Sequence, residues 1–345
     1  MGPSTIVDVA KIAGVSPSTV SRVIAGNPRI SAGTQERVRA AMKDLDYHPH
    51  AIARSLVTRS SRTIGLVTSR PATQAFANPF FPEVLRGIGS VLEGEGYNLL
   101  LSASRGEENE REACLSLLRS RHVDGVILTS SRLGDKLIEA LVKDEANVVL
   151  IGRPAGIDGA LAHPSLHWVN NDNVSAAAVA MEHLLGLGHR RIAFINGPQD
   201  WVFCYDRLQG YRTALSEAGL DFDPQLVRQG NITQQDGARA LEHLLALPER
   251  PTAILAVDDS LALGAMEAAH KRGLRIPSDL AIVGFNDDPI TAWTRPSLTT
   301  ARIPVFDLGA MAARMLLGRL QGRPVRPHQV ILPSQIVVRE STKGI

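Results

Sequence analysis

Residues 5–25 read TIVDVAKIAGVSPSTVSRVIA. Thr5 is placed to cap a first helix, with Asp8 three residues on reaching back to the same amides and favouring the positive end of the helix dipole. Gly14 then supplies a turn. Ser16 caps a second helix and Pro17 occupies its first position, where a missing N–H costs nothing and the fixed φ suits a helix start. Val9, Ile12, Val15, Val20 and Val23 are expected to lock the two helices at an angle, leaving Pro17, Ser18 and Arg22 on the outer face of the second. Two short capped helices around a glycine turn have the shape of a helix-turn-helix, whose second helix enters the major groove of DNA. A third helix is expected after the cap Ser31, with Val38, Met42 and Leu45 facing inward and Tyr47 near its end.

The same pattern would also fit a helical hairpin in any soluble protein, and charge separates the two readings. Up to Arg62 the chain carries Lys11, Arg22, Arg29, Arg37, Arg39, Lys43, Arg54, Arg59 and Arg62 against Asp8, Glu36, Asp44 and Asp46, a balance of +5. The whole chain is +2, so the remainder is −3. A basic head on a mildly acidic body suits phosphate neutralisation, and argues against a general membrane or polyanion surface. At 345 residues the chain should divide into two or three units. No apolar run approaches the roughly 18 residues needed to span a bilayer, and the N-terminus lacks the pattern of a secretory signal, so a cytoplasmic protein is expected. Cys114 and Cys204 show no metal or redox spacing.

From Thr63 onward, short Val/Ile/Leu-rich runs alternate with helical periodicity, which predicts α/β architecture: parallel sheets covered by helices on both faces. Strands are expected at 63–68, 98–103, 125–129, 148–152, 191–197, 226–230, 253–257 and 280–285. "QVILPSQIVVR" near the C-terminus also reads as strand. Helices are expected around 80–94, 107–120, 134–143, 173–187, 204–219, 234–246, 259–272 and 304–320. So many strands exceed one comfortable twisted sheet and imply two similar lobes.

In open α/β sheets a ligand sits beyond the carboxyl ends of the strands. That rule selects Phe80, Phe81, Ser130, Arg153, Trp201, Arg207, Asp258 and Asn286, a mixture of aromatic faces, guanidinium, carboxylate and amide suited to a sugar. Each has a plainer alternative. One of Phe80 and Phe81 could be core, one of Asp258 and Asp259 could only cap a helix, Arg153 and Arg207 could hold the lobes together through a carboxylate, and Trp201 could be surface. Enzyme chemistry lacks its parts: there is no nucleophile elbow, no phosphate-cradling loop and no histidine pair at metal-ligand spacing. No cofactor and no metal are expected.

The ordered segments "TIVDVAKIAGVSPSTVSRVIAGNPRIS", "TQERVRAAMKDLDYHP", "AIARSL", "NPFFPEVLRGI", "VDGVIL", "LGHRRIAFING", "DRLQGYRTAL", "LAVDDSLALGAM" and "IPSDLAIVGFND" resemble the lactose-repressor (LacI/GalR) family of bacterial transcription regulators over nearly the whole chain. The resemblance implies a helix-turn-helix head (1–48), a hinge helix and linker (49–62), and a two-lobed sensor like the periplasmic sugar-binding proteins (63–345). The first lobe would hold 63–167 and 288–322, the second 168–287 and 323–345, with chain crossings near 166–170, 286–290 and 320–328. It implies base reading by Pro17, Ser18 and Arg22, and backbone contacts from Thr5, Ser16, Thr19, Ser21, Asn27, Ser31 and Tyr47. Leu56 would wedge into the minor groove from a hinge whose small Ala53 lets two copies approach; its plainer role is a buried linker residue.

Arg207, Asp258 and Asn286 match effector-contacting positions of the family. His50, Ala25 and Ile232 depart from its usual pattern. The partners implied are a pseudo-palindromic DNA operator, a small sugar and a second copy of the chain; with no heptad tail after Arg339, a dimer rather than a tetramer is expected. "FANPFFPEVLRGI", "VVLIGRP" and "DRLQGY" resemble the maltose-operon branch, which makes an α-glucoside inducer the first choice. Another sugar, or a nucleobase acting as corepressor, is the alternative. A free sugar-binding module is opposed by the DNA-reading head.

Overall fold

The computed structural model describes residues 4–47, 60–68, 76–103, 107–129 and 131–343. His50, Ala53, Leu56 and Ser130 lie outside the described residues, as does most of the expected hinge.

The head consists of α1 (Ile6–Ala13), α2 (Pro17–Ile24) and α3 (Ala32–Asp44). Its boundaries follow the caps. The Thr5 hydroxyl accepts from the Asp8 amide while the Asp8 carboxylate accepts from the Thr5 amide, and Gly14 closes α1 at φ 63°. Ser16 and Ser31 cap α2 and α3 through the amides of Thr19 and Thr34. Val9, Val20 and Val38 are fully buried between the helices, with Val15, Met42, Leu45 and Tyr47 packed around them. Ile12 departs from expectation: it is 56% exposed, because Ala10 and Ala13, small enough for close helix approach, take the inward positions on α1.

Beyond the head, two parallel-sheet lobes follow. In chain order the elements are β1 (Thr63–Thr68), α4 (Phe80–Leu92), β2 (Asn98–Ala103), α5 (Glu107–Arg119), β3 (Gly125–Thr129), α6 (Lys136–Lys143), β4 (Val148–Ile151) and β5 (His167–Asn171). Then come α7 (Asn173–Gly186), β6 (Ile192–Asn196), α8 (Val202–Glu217), β7 (Val227–Gln229), α9 (Gln234–Leu245), β8 (Ala253–Ala256), α10 (Asp259–Lys271), β9 (Ala281–Asn286) and β10 (Thr299–Arg302). The chain ends with α11 (Val305–Leu320), β11 (Gln329–Leu332) and β12 (Gln335–Val337).

The first sheet runs β11-β5-β4-β3-β1-β2 and the second β12-β10-β9-β8-β6-β7. Neighbouring strands are parallel except β10 and β12. Setting aside the last strand of each, both sheets repeat one doubly wound order, so both present the carboxyl ends of their strands to the same gap. The central strands β3, β4, β6, β8 and β9 are buried along their whole length, which is why they read as unbroken apolar runs.

Sheet membership moves the chain crossings from where sequence placed them. They fall at Asp172, at 303–304 and at 333–334, because β5 and β11 belong to the first sheet and β10 to the second. β5 and β10 were not expected as strands. Their residues, HWVNN and TTAR, carry buried polar side chains instead of an apolar run. The return of α11 to the first lobe depends on close approach to α4: a Cβ on Gly87 would sit 2.1 Å from the Phe306 carbonyl oxygen, and one on Gly309 2.4 Å from that of Val84.

Candidate functional site

The cleft between the lobes has about 630 Å³ of empty space, part of it open to solvent, and falls at the carboxyl ends of β4, β5, β8 and β9. Phe80, Arg153, Arg207, Asp258 and Asn286 all line it. Asn78, Asn170, Asn171, Asn173 and Phe203 line it too, and sequence reasoning missed them. Three asparagines immediately around the helix cap Asp172, at the end of a strand, were the available signal.

Arg207 is 4% exposed on α8. Its Nε donates to Asn173 Oδ1 at 2.8 Å and its Nη1 to the Val257 carbonyl. The guanidinium carbon lies 4.2 Å from the Phe285 ring centroid and 5.2 Å from that of Phe203, so ring faces replace part of the lost hydration. Burial pulls the guanidinium down to about 10, which leaves it charged at neutral pH. Asn173 in turn accepts from Asn171 at 3.0 Å and donates to Asn170 at 3.4 Å, which fixes the row of amides on the cleft floor.

Asp258 both caps a helix and lines the cleft. One carboxylate oxygen accepts from the Ser260 amide at 2.8 Å; the other accepts from Asn286 at 2.9 Å and, across the cleft, from Asn78 at 3.4 Å. Asn286 sits at φ 111°, a strained conformation for a residue with a side chain, of a kind that costs about 1–3 kcal/mol and persists only where surroundings enforce it. Asp259 turns inward, accepting from Thr300 and the Asp288 amide. Burial, and then the nearby Asp288 charge, hold its carboxyl well above the usual carboxylate range.

Arg153 takes its alternative role. It grips Asp206 with Nε, at 2.8 Å, and Nη2, tying the loop after β4 to α8 of the other lobe. Beside it a short strip pairs the lobes, with the Val202 amide donating to the Ser131 carbonyl at 3.1 Å and the Leu133 amide to the Asp200 carbonyl at 2.7 Å. Phe81 is core, 5.3 Å edge-on from Phe76, and does not line the cleft, because successive side chains on α4 point about 100° apart and only Phe80 is turned to it. Trp201 lines an adjoining chamber with Pro198, Asn231 and Ile232; that chamber shares Asn78 with the first, and the Trp201 and Phe203 rings meet at 5.6 Å.

On the head, Pro17, Ser18 and Arg22 are exposed together on α2. Thr5, Ser16 and Ser31 use their hydroxyls as helix caps, and Asn27 accepts from the Arg29 amide at 3.0 Å. Thr19 shares a hydroxyl contact with Ser16 at 2.9 Å, while Ser21 and Tyr47 are half-buried. Among the described residues, no group of three or more His, Cys, Asp or Glu could hold a metal, and no helix is long and apolar enough to cross a membrane.

Residues 5–50 match the family described as bacterial regulatory proteins, lacI family, and residues 181–342 match a periplasmic binding protein-like domain. The chain is 38% identical to the HTH-type transcriptional regulator CelR of Thermobifida fusca, over 98% of both chains. Among solved structures, a transcriptional regulator CelR–cellobiose complex matches with TM-score 0.76 and 35% identity, over 98% of this chain and 99% of that one. A Lac repressor dimer bound to operator and the anti-inducer ONPF matches with TM-score 0.84 and 29% identity, over 99% of both.

Proposed function

We propose, from the fact that this chain belongs to the lacI family of bacterial regulatory proteins, that it is a dimeric repressor released from its operator by a disaccharide held between the sensor lobes. The observation that carries this reading is the pairing of two chambers. An inner one presents Arg207, Asp258, Asn286 and Asn173, and an adjoining outer one is walled by Trp201. Two adjoining chambers that share Asn78 suit two linked rings. Flat polar groups meet paired hydroxyls while aromatic faces stack on the C–H faces of the sugar. Arg207 Nη2, which has no partner among the described residues, is the donor left for a ligand oxygen.

The α-glucoside expected from sequence and the cellobiose named in the CelR complex differ in linkage. Similarity to that complex moves cellobiose to first place, with maltose beside it. The DNA side rests on Arg22 forking to a guanine edge from the exposed face of α2, with Pro17 and Ser18 beside it and the capped helix N-termini near phosphates. Sugar that favours a closed arrangement of lobes, already bridged by Arg153–Asp206, need supply only about 1–3 kcal/mol of differential binding to change operator occupancy. A regulator of this kind acts at the chromosome, in the cytoplasm.

Melting curves with cellobiose, maltose, trehalose, ribose and purines, followed by operator titration with each compound that stabilises the protein, test the reading. A disaccharide that stabilises the protein and weakens operator binding supports it. Stabilisation by a purine alone would transfer the pocket to a nucleobase, and a sugar that strengthens operator binding would make it a corepressor.

A further inference from the structure

The sensor is entered through a short segment, Ser60 to Arg62, that lies far from the cleft and is held unusually hard. One side chain does most of the holding. Asp124 Oδ1 accepts from the Ser61 amide at 2.6 Å and the Ser61 hydroxyl at 2.9 Å, while Oδ2 accepts from the Ser60 hydroxyl and from the Arg62 amide at 3.0 Å. Arg62 then turns the chain at φ 51°, places its guanidinium 5.5 Å from the Tyr97 ring centroid and donates to the Glu95 carbonyl at 3.3 Å. Its own carbonyl accepts from the Asn98 amide at 2.8 Å. The entering chain is therefore fixed to the start of β2 on one side and to the residue before β3 on the other.

Asp124 immediately precedes β3, and the loop that leaves the far end of the same strand carries Ser131. Ser131 lines the cleft, holds the Arg153 carbonyl at 2.7 Å and accepts from Val202 of the opposite lobe. A single strand, buried along its length and therefore stiff, runs between the cleft and the clamp. We propose that Asp124 is a positioning residue that joins the sensor to the DNA-binding head, carrying displacement of the first lobe into the residues that lead to the head. The proposal rests on the effector-regulated operator binding proposed above. A carboxylate suits the task because only an acceptor with several lone pairs can gather two amides and two hydroxyls at one point.

The test uses the full-length protein and its Asp124→Ala and Asp124→Asn variants. Operator affinity is measured without sugar and with saturating cellobiose or maltose, and sugar affinity by calorimetry. Asp124→Ala should bind sugar as the parent does, while the change in operator affinity caused by sugar shrinks by about tenfold. Asp124→Asn keeps one acceptor oxygen and should fall between the two. Adding Ser61→Ala to Asp124→Ala should change nothing more, since both act through the same bonds. A sugar response equal to the parent's in Asp124→Ala overturns the proposal; if that variant does not fold, an unaltered response in Asp124→Asn does so.

If neither sugar moves operator affinity in the parent, the effector reading is what has failed. The clamp is then tested without sugar. Asp124→Ala should bind operator about tenfold more weakly, because an unanchored entry segment has more freedom to lose on DNA, while binding to non-specific duplex is unchanged. Equal operator affinity in that case overturns the clamp.

Discussion

The head and the sensor cleft are both built on polar side chains, but they assemble them over very different distances along the chain. In the head, Thr5 with Asp8 and Ser16 with Thr19 act across three residues, and the exposed triad Pro17, Ser18 and Arg22 occupies one face of a single eight-residue helix. In the cleft, Asn78 reaches Asp258, Arg207 reaches Asn173 and Arg153 reaches Asp206, each pair brought together by strands and crossings far apart in sequence. A change in the head should therefore act locally and leave the sensor intact. A change in the cleft strands partners on other elements.

The largest effect expected from that contrast is at Arg207. Arg207→Ala leaves the Val257 carbonyl without its donor and Asn173 Oδ1 with Asn171 alone and should weaken sugar binding by about 2–4 kcal/mol, with sugar-free operator binding retained. Arg207→Lys should rescue little, because an ammonium cannot both fork and stack between Phe203 and Phe285. Calorimetry beside operator titration reads both halves; unchanged sugar affinity would move the site. At Arg22, replacement by Ala should cost about 1–3 kcal/mol at the specific operator and relax sequence preference, with sugar affinity untouched. A selection of binding sites from random duplexes that returns the parent's motif would remove the assignment.

A smaller effect is expected at Ser16. Ser16→Ala removes the α2 cap and should lower head stability by about 1 kcal/mol, seen as an earlier melting transition of the head with the sensor's transition in place. A shift of the sensor transition instead would show that the two regions are not independent.

The smallest effect is pH-dependent and confined to the sensor. Burial, then Arg319 and His328, push His167 down to about 4, and burial also lowers His183 and His189. His167 stays neutral in the folded sensor down to about 4 while the unfolded chain takes up protons near pH 6.5. Its contribution is therefore complete above about 6.5 and is lost as pH falls toward 4, with the lowered His183 and His189 acting in the same direction. Melting temperature of the sensor should drop over that window, and His167→Gln should make the drop shallower. An identical pH profile in the variant would rule His167 out as a source.

The cleft was legible where an apolar strand pointed at it. Arg153, Arg207, Asp258 and Asn286 follow strands that read as Val/Ile/Leu runs, so the strand-end rule found them. Asn170 and Asn171 were missed because β5, the strand that carries them, is polar at its cleft end, and a strand built to deliver hydrogen bonds does not look like one. Asn78 was missed because it stands on a loop before α4. Phe81 was assigned to the cleft because adjacent positions at a helix start are indistinguishable in sequence, and only packing against Phe76 and the first-lobe core separates it from Phe80.

Sequence by itself determined the head, its caps and the exposed face of Pro17, Ser18 and Arg22, and the existence of two parallel-sheet lobes. Those features rest on interactions within a few residues or on the period of apolar side chains. Only the tertiary structure decided where the chain crosses between lobes, that Arg153 serves as an interlobe clasp, that Asp258 is both cap and cleft wall, and that Asp124 gathers the entering chain. Each of those depends on which polar groups meet across long loops, and a buried hydrogen bond leaves no periodic trace in the residues that make it.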